Sequence, residues 1–227
     1  MIFTATSIIF LSLYVILSII NCTKLKYLAG GKLELFTKPL LMISLLLFYL
    51  YALKSNAPAP QNQWEIIITM VLYSLGDLGL IWRNKTRIFA LGVLSFLIGH
   101  IFYAFFFIKL KISHHSLIAA FIAVAAMIPC IILVKRKLSK TDDPMADKMI
   151  LYGFFLIFLI AAIASTYTGG CALGTSLALA GGLLFALSDS MIGIRATGQK
   201  IIPGESVMIT YTAAQLLIVF GVLLLQI

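Results

Sequence analysis

The chain has 227 residues, 62% of them hydrophobic and only 11% charged, with a formal net charge of +9 and a mean hydropathy of +1.09. Those values exclude a soluble domain and leave a membrane protein. The positive charge does not call for nucleic acid, since no soluble basic surface exists to carry it; basic loops beside a bilayer serve as topology signals and contacts for anionic lipid head groups.

Apolar runs of roughly 18 residues or more, the length a bilayer core demands of a helix, occur in eight places. The first, 3–20, starts close to Met1, yet it lacks a basic n-region, and "IINCT" offers no small-x-small cleavage site. It is therefore expected to span rather than to be a cleaved signal peptide. The second, 35–53, opens with Lys38 and Pro39, a proline suited to a first helical turn. An outer loop, "NAPAPQNQW" (Asn56–Trp64), leads to the third, 64–82, which carries Asp77 within "LYSLGDLGLIW". The fourth, 88–109, holds His100 and, one turn on and on the same face, Tyr103. His114 and His115 form a solvated cap before the fifth, 115–134, which Pro129 is expected to kink.

The longest connection, "KRKLSKTDDPMADK" (Lys135–Lys148), precedes the sixth run, 147–167. The seventh, 172–192, carries Gly181–Gly182, Ser188 and Asp189; the eighth, 206–226, carries Tyr211 and Gln215. Cys22, Cys130 and Cys171 have no paired spacing and suit apolar packing. The whole chain, 1–227, is expected to form a single all-α membrane domain without a water-soluble insertion.

Lys and Arg set the orientation. Loops after the odd helices hold Lys24, Lys26, Lys32, Arg83, Lys85, Arg87, Lys135, Arg136, Lys137, Lys140, Lys148, Arg195 and Lys200, against Lys54, Lys109 and Lys111 after the even ones. The odd loops should face the cytoplasm and both termini should face away from it.

An internal repeat is visible. "LYSLGDLGLIWR" (Leu72–Arg83) aligns without gaps on "LFALSDSMIGIR" (Leu184–Arg195), placing Asp77 on Asp189 and Arg83 on Arg195. A shift of four helices preserves orientation, so this points to a parallel four-plus-four duplication with halves 1–112 and 113–227. By the rise of about 1.5 Å per residue, both aspartates lie within two turns of the cytoplasmic boundary. Lys38, Tyr211, Gln215 and His100 all fall between that boundary and the bilayer middle. Ionisable residues in such positions are costly and mark functional interiors; the structural alternative is that Asp77, Asp189, Tyr211 and Gln215 hydrogen-bond helices to one another.

The ordered set "TKPLLM" (Thr37–Met42), "LGDLGL" (Leu75–Leu80), "FLIGHIFY" (Phe96–Tyr103), "GGLLFALSD" (Gly181–Asp189) and "YTAAQ" (Tyr211–Gln215) resembles the YhhN-type lysoplasmalogenase family from helix 2 to helix 8. That resemblance implies hydrolysis of the vinyl ether bond of lysoplasmalogens to a fatty aldehyde and a glycerophospho-alcohol. It places Lys38, Asp77, His100, Tyr103, Ser188, Asp189, Tyr211 and Gln215 at the family's polar positions. The family's last motif often has two adjacent tyrosines, and Thr212 stands in place of the second.

The chemistry suits these residue types. Protonating the β-carbon of a vinyl ether makes an oxocarbenium ion, which water captures as a hemiacetal. Two carboxyl groups in a low-dielectric site divide the tasks, because burial and mutual repulsion let one keep its proton while the other stays ionised. Asp77 and Asp189 are the expected acid and anion, in either order, with His100 as base or relay. Lys38 is placed to meet the lipid phosphate, ahead of Arg83 and Arg195, and Tyr103, Ser188, Tyr211 and Gln215 to bind substrate. No cofactor or metal is expected. The implied partners are a lysophospholipid substrate and the bilayer, and the lack of tails leans toward a bacterial cytoplasmic membrane. A proton-coupled transporter would use the same carboxylates at the repeat interface; a metal-dependent hydrolase would need ligand spacing that is missing; a lipid-binding scaffold would need no carboxylate for turnover.

Overall fold

The computed structural model describes residues 3–23, 25, 32–56, 63–82, 85–110, 117–125, 127–128, 132, 145–167, 173–196 and 202–227, with backbone alone for 145–151 and 196. Among them are eight helices and no strands. They are α1 (Ala5–Cys22), α2 (Lys32–Asn56), α3 (Trp64–Ile81), α4 (Thr86–Leu110), α5 (117–125), α6 (Met145–Ala164), α7 (Leu173–Ala196) and α8 (Gly204–Gln226). Six of these, α1 to α4, α7 and α8, are long and apolar enough to cross a membrane, and α6 contributes a shorter apolar stretch, Tyr152–Ala164. Arg83, His114, His115, Pro129, Cys130, Cys171 and most of the basic loops used for orientation lie outside the described residues.

The helices outrun the apolar segments because a helix does not stop where hydropathy falls. The second begins at Lys32, three residues before its apolar run. This corrects the expectation for Pro39, which lies inside α2 rather than in its first turn. A proline there removes one N–H and frees the carbonyl a turn earlier. The Pro39 carbonyl itself accepts the Ser74 hydroxyl of α3 at 2.9 Å.

The chain divides into two compact units, Met1–Tyr103 with Val222–Ile227, and Ala104–Gly221. In the first, α2 packs against both α1 and α3. The third and fourth helices meet at glycines: a Cβ on Gly79 would lie 2.6 Å from the Gly92 Cα, so only hydrogen at both positions permits the approach. Small residues at a crossing let helix backbones come close without a hydrophobic driving force. At the far end of this unit the Tyr49 hydroxyl meets the side-chain oxygens of Gln63 and, at 2.6 Å, Gln226.

In the second unit α6 packs on α7, and Thr166 and Thr175 share a hydrogen bond at 2.9 Å where those helices turn. A Cβ on Gly181 would lie 2.7 Å from the Ala214 carbonyl oxygen, and one on Gly221 2.6 Å from the Ala178 nitrogen. The α7–α8 pair is thus closed along its length.

Candidate functional site

Within the first unit one set of buried polar groups lies toward the end where α2 begins and α3 finishes, opposite the Tyr49–Gln63–Gln226 group. The Ser74–Pro39 bond sets the register of the antiparallel α2 and α3. By helical rise it puts Lys38 and Asp77 within about 3 Å of the same level. Both are buried, at 4% and 1% exposure. Tyr14 of α1 lies within electrostatic reach of Asp77. Beside them Asn21 donates to the Leu17 carbonyl at 2.8 Å and accepts the Thr37 hydroxyl at 3.4 Å, tying α1 to α2.

His100 is buried on α4 with its Nδ1 against the Phe96 carbonyl one turn earlier. A carbonyl only accepts, so Nδ1 carries the proton there and Nε2 is the basic nitrogen of the neutral ring. Tyr73 packs edge-on against His100, with ring centroids 5.5 Å apart, and against Tyr103 at 6.1 Å. The Thr69 hydroxyl, donated to the Gly99 carbonyl at 3.2 Å, pins α3 to α4 beside that imidazole. The unit thus sets Lys38 and Asp77 at one level of the α2–α3 pair and lays His100 and Tyr103 against the same Tyr73 ring.

The second unit holds Ser188, Asp189, Tyr211 and Gln215. Asp189, 8% exposed, accepts the Tyr152 hydroxyl of α6 on Oδ2 at 2.5 Å. A phenol donating to a buried carboxylate is a charge-assisted bond, about twice the strength of a neutral one, and it fixes the plane of the carboxyl. Ser188, one residue before, donates its hydroxyl to the Val207 carbonyl at 3.1 Å, which ties α7 to α8. Tyr211 lies against Phe185, centroids 5.7 Å apart, and Phe185 precedes Asp189 by one turn on the same face. The Arg195 guanidinium, in the last turn of α7, donates to the Ile202 carbonyl just before α8. Among the described residues no three His, Cys, Asp or Glu side chains gather as metal ligands would.

Tyr152, Tyr14 and Tyr73 were not singled out by sequence reasoning. Tyrosine counts as apolar in hydropathy, so a phenol in a spanning helix leaves no dip. Tyr152 carries one usable sign, its position in "LYGFF" as the first hydroxyl of an otherwise apolar run.

The fold and these buried polar clusters define a polytopic helical protein whose spanning helices hold ionisable groups in their interior. A family model describes it further: the YhhN family matches residues 33–222, and the chain belongs to that family. No curated protein and no solved structure gives a match.

Proposed function

We propose that the protein is a lysoplasmalogenase-type hydrolase of a bacterial cytoplasmic membrane, cleaving the vinyl ether bond of lysoplasmalogens. The observation that carries this reading is that both helix-borne aspartates are turned inward, at 1% and 8% exposure, with the Tyr152 hydroxyl bonded to Asp189 and Tyr14 within electrostatic reach of Asp77. An ionisable side chain kept in an apolar interior at such cost is a working group by default. In the reaction a carboxylic acid protonates the β-carbon of the vinyl ether, and the π electrons leave C1 as an oxocarbenium ion. The second carboxylate balances that charge and takes the proton of the attacking water. The hemiacetal then collapses: the C1–O bond to glycerol breaks, the glycerol oxygen gains a proton, and the aldehyde departs. Asp77 and Asp189 are the two carboxyl groups, and His100, whose Nδ1 lies on the Phe96 carbonyl, moves protons between water and the acid through Nε2. Lys38 meets the phosphate, with Tyr103, Ser188, Tyr211 and Gln215 along the substrate.

The test is aldehyde release by purified protein in detergent from a lysoplasmalogen and from its saturated ether analogue. Aldehyde from the vinyl ether alone is expected. No aldehyde from folded protein would overturn the reading and favour transport of a polar solute through the same interior.

Tyr152 supplies a second expectation. Tyr152→Phe removes the hydroxyl bonded to Asp189 and keeps the ring. A hydrogen bond to a charged group contributes about 1.5–3 kcal/mol, so kcat should fall roughly 10- to 100-fold with KM little changed. Steady-state aldehyde kinetics would show it, and parent-like kcat would remove Tyr152 from the chemistry.

A further inference from the structure

A hydrogen bond at Nδ1 does not by itself orient an imidazole, because the outer torsion of a histidine has a broad, roughly two-fold preference. The contact of His100 with the Phe96 carbonyl settles which nitrogen carries the proton and leaves the ring plane to its neighbours. Tyr73 of α3 is the neighbour in place. Its ring, at 0% exposure, lies 5.5 Å from the imidazole centroid at an interplanar angle of 61°, and 5.3 Å from the ring of Phe96. The residue that takes the Nδ1 proton and the imidazole that gives it therefore rest on one phenol ring.

That ring has a seat made of backbone. A Cβ at Gly99, the residue before His100, would lie 2.5 Å from Tyr73 Cε1 and 2.8 Å from Cδ1, so the ring occupies the space a side chain would fill. Phe96 uses Gly76 of α3 in the same way, its Cδ2 2.6 Å from where a Cβ would stand. The two helices interlock, ring against glycine from each side, and the Thr69 hydroxyl closes the contact on the Gly99 carbonyl at 3.2 Å. A ring seated on backbone in a close-packed interior has little room to shift.

Helix packing alone does not demand this arrangement. In the gap-free alignment of Leu72–Arg83 on Leu184–Arg195, Tyr73 falls on Phe185, and the same register carried into the following helix puts Gly99 on Tyr211 and His100 on Thr212. Phe185 also stands one turn before its aspartate and meets the next helix at that position, on the Tyr211 ring with centroids 5.7 Å apart. There the aromatic contact is made without the glycine and without the imidazole. The first unit has both, side by side.

We propose that Tyr73 is the positioning residue of His100: seated on Gly99, its ring holds the imidazole in one orientation, so that Nε2 keeps one direction. The consequence for proton transfer rests on the hydrolase reading; the positioning itself does not. A relay nitrogen with one direction starts each proton transfer from productive geometry, which is how positioning contributes to rate.

The experiment records nuclear magnetic resonance of the full chain in detergent with isotope-labelled histidine, for the parent, Tyr73→Leu, Tyr73→Phe and Gly99→Ala. The chain has three histidines, and the set of ring signals lost in His100→Gln belongs to His100. That set should carry the ring-current displacement of the neighbouring phenol and the nitrogen pattern of an Nδ1–H tautomer. Tyr73→Leu should move it toward free imidazole, and Tyr73→Phe, which keeps the ring, should recover the parental positions. Gly99→Ala should shift it with Tyr73 intact, because the ring is pushed off its seat. In aldehyde release, Tyr73→Leu should lower kcat about tenfold with KM little changed, and by no more than about twofold once His100 is already Gln. Unmoved His100 signals in folded Tyr73→Leu, or in folded Gly99→Ala should the Leu variant not fold, would overturn the proposal. So would an equal loss of kcat with and without His100, which would mark Tyr73 as core packing. If the parent releases no aldehyde, the hydrolase reading falls and the histidine signals alone decide whether Tyr73 orients His100.

Discussion

Asp77→Asn should abolish vinyl ether cleavage, lowering kcat by about 10³-fold, within the 10²–10⁴ that positioned acid–base groups supply. The substitution keeps the volume of the side chain and a carbonyl-type acceptor, so the packing of α3 against α4 has no reason to change. What it removes is the capacity to give up or bear a proton. Protonating carbon is the slow step of the uncatalysed reaction, and no other group of the first unit stands in for Asp77. Glu65, also buried on α3, lies twelve residues or about 18 Å away along the helix. His100 has Nδ1 committed to the Phe96 carbonyl, and the Lys38 ammonium brings a like charge toward the cation being formed. Asp77→Glu separates chemistry from position, since the acid is retained but displaced by one methylene; its activity should fall between parent and Asn. Aldehyde release, read beside the melting temperature of each variant, decides the matter. An Asn variant keeping more than about a tenth of parental kcat would take Asp77 out of the reaction and leave it as a buried structural group.

Much of this arrangement was legible in the sequence for one reason: a bilayer of fixed thickness turns hydropathy into helix length. Runs such as 64–82 and 206–226 match α3 and α8 within two residues at each end. Asp77, His100, Asp189 and Lys38 stood out because an ionisable group in an apolar run has few bland explanations. The same hydropathy hid the rest. Tyr152 bonds Asp189 and Tyr73 packs on His100, yet both are counted as apolar. The apolar run starts after Lys32 and Glu34, so hydropathy alone puts Pro39 in a first turn, whereas the backbone bonds of a helix are indifferent to that polarity and α2 begins at Lys32. The Ser188 hydroxyl donates to the Val207 carbonyl, a partner set by which face of α7 meets α8 and not readable along one helix. Such pairings are non-local: the spacing of glycines along one helix does not tell which glycine of another will oppose them.

The crossing of α3 and α4 carries the second large effect. Gly79→Val should destabilise the protein and lower activity at least 10-fold, because the obstacle is backbone rather than a side chain that can rotate. A Cβ on Gly79 would stand 2.6 Å from the Gly92 Cα and 2.9 Å from its nitrogen, so the helices must part by an ångström or more. Overpacking of this kind costs about 1–3 kcal/mol, and parting the helices also exposes the Thr69–Gly99 bond and shifts Asp77, two residues away on α3. Gly92→Ala obstructs the same approach from the other side, where its Cβ would meet the Gly79 Cα at 3.0 Å. Because both substitutions break one contact, the double variant Gly79→Val with Gly92→Ala should be little worse than Gly79→Val alone. Gly153 of α6 supplies the opposite case, since a Cβ there meets nothing within 4 Å. Gly153→Ala should therefore stabilise by about 0.5–1 kcal/mol through helix propensity alone. Melting curves of the four variants and the parent in one detergent would test the set, and a Gly79→Val protein as stable as the parent would mean that α3 and α4 do not cross at these glycines.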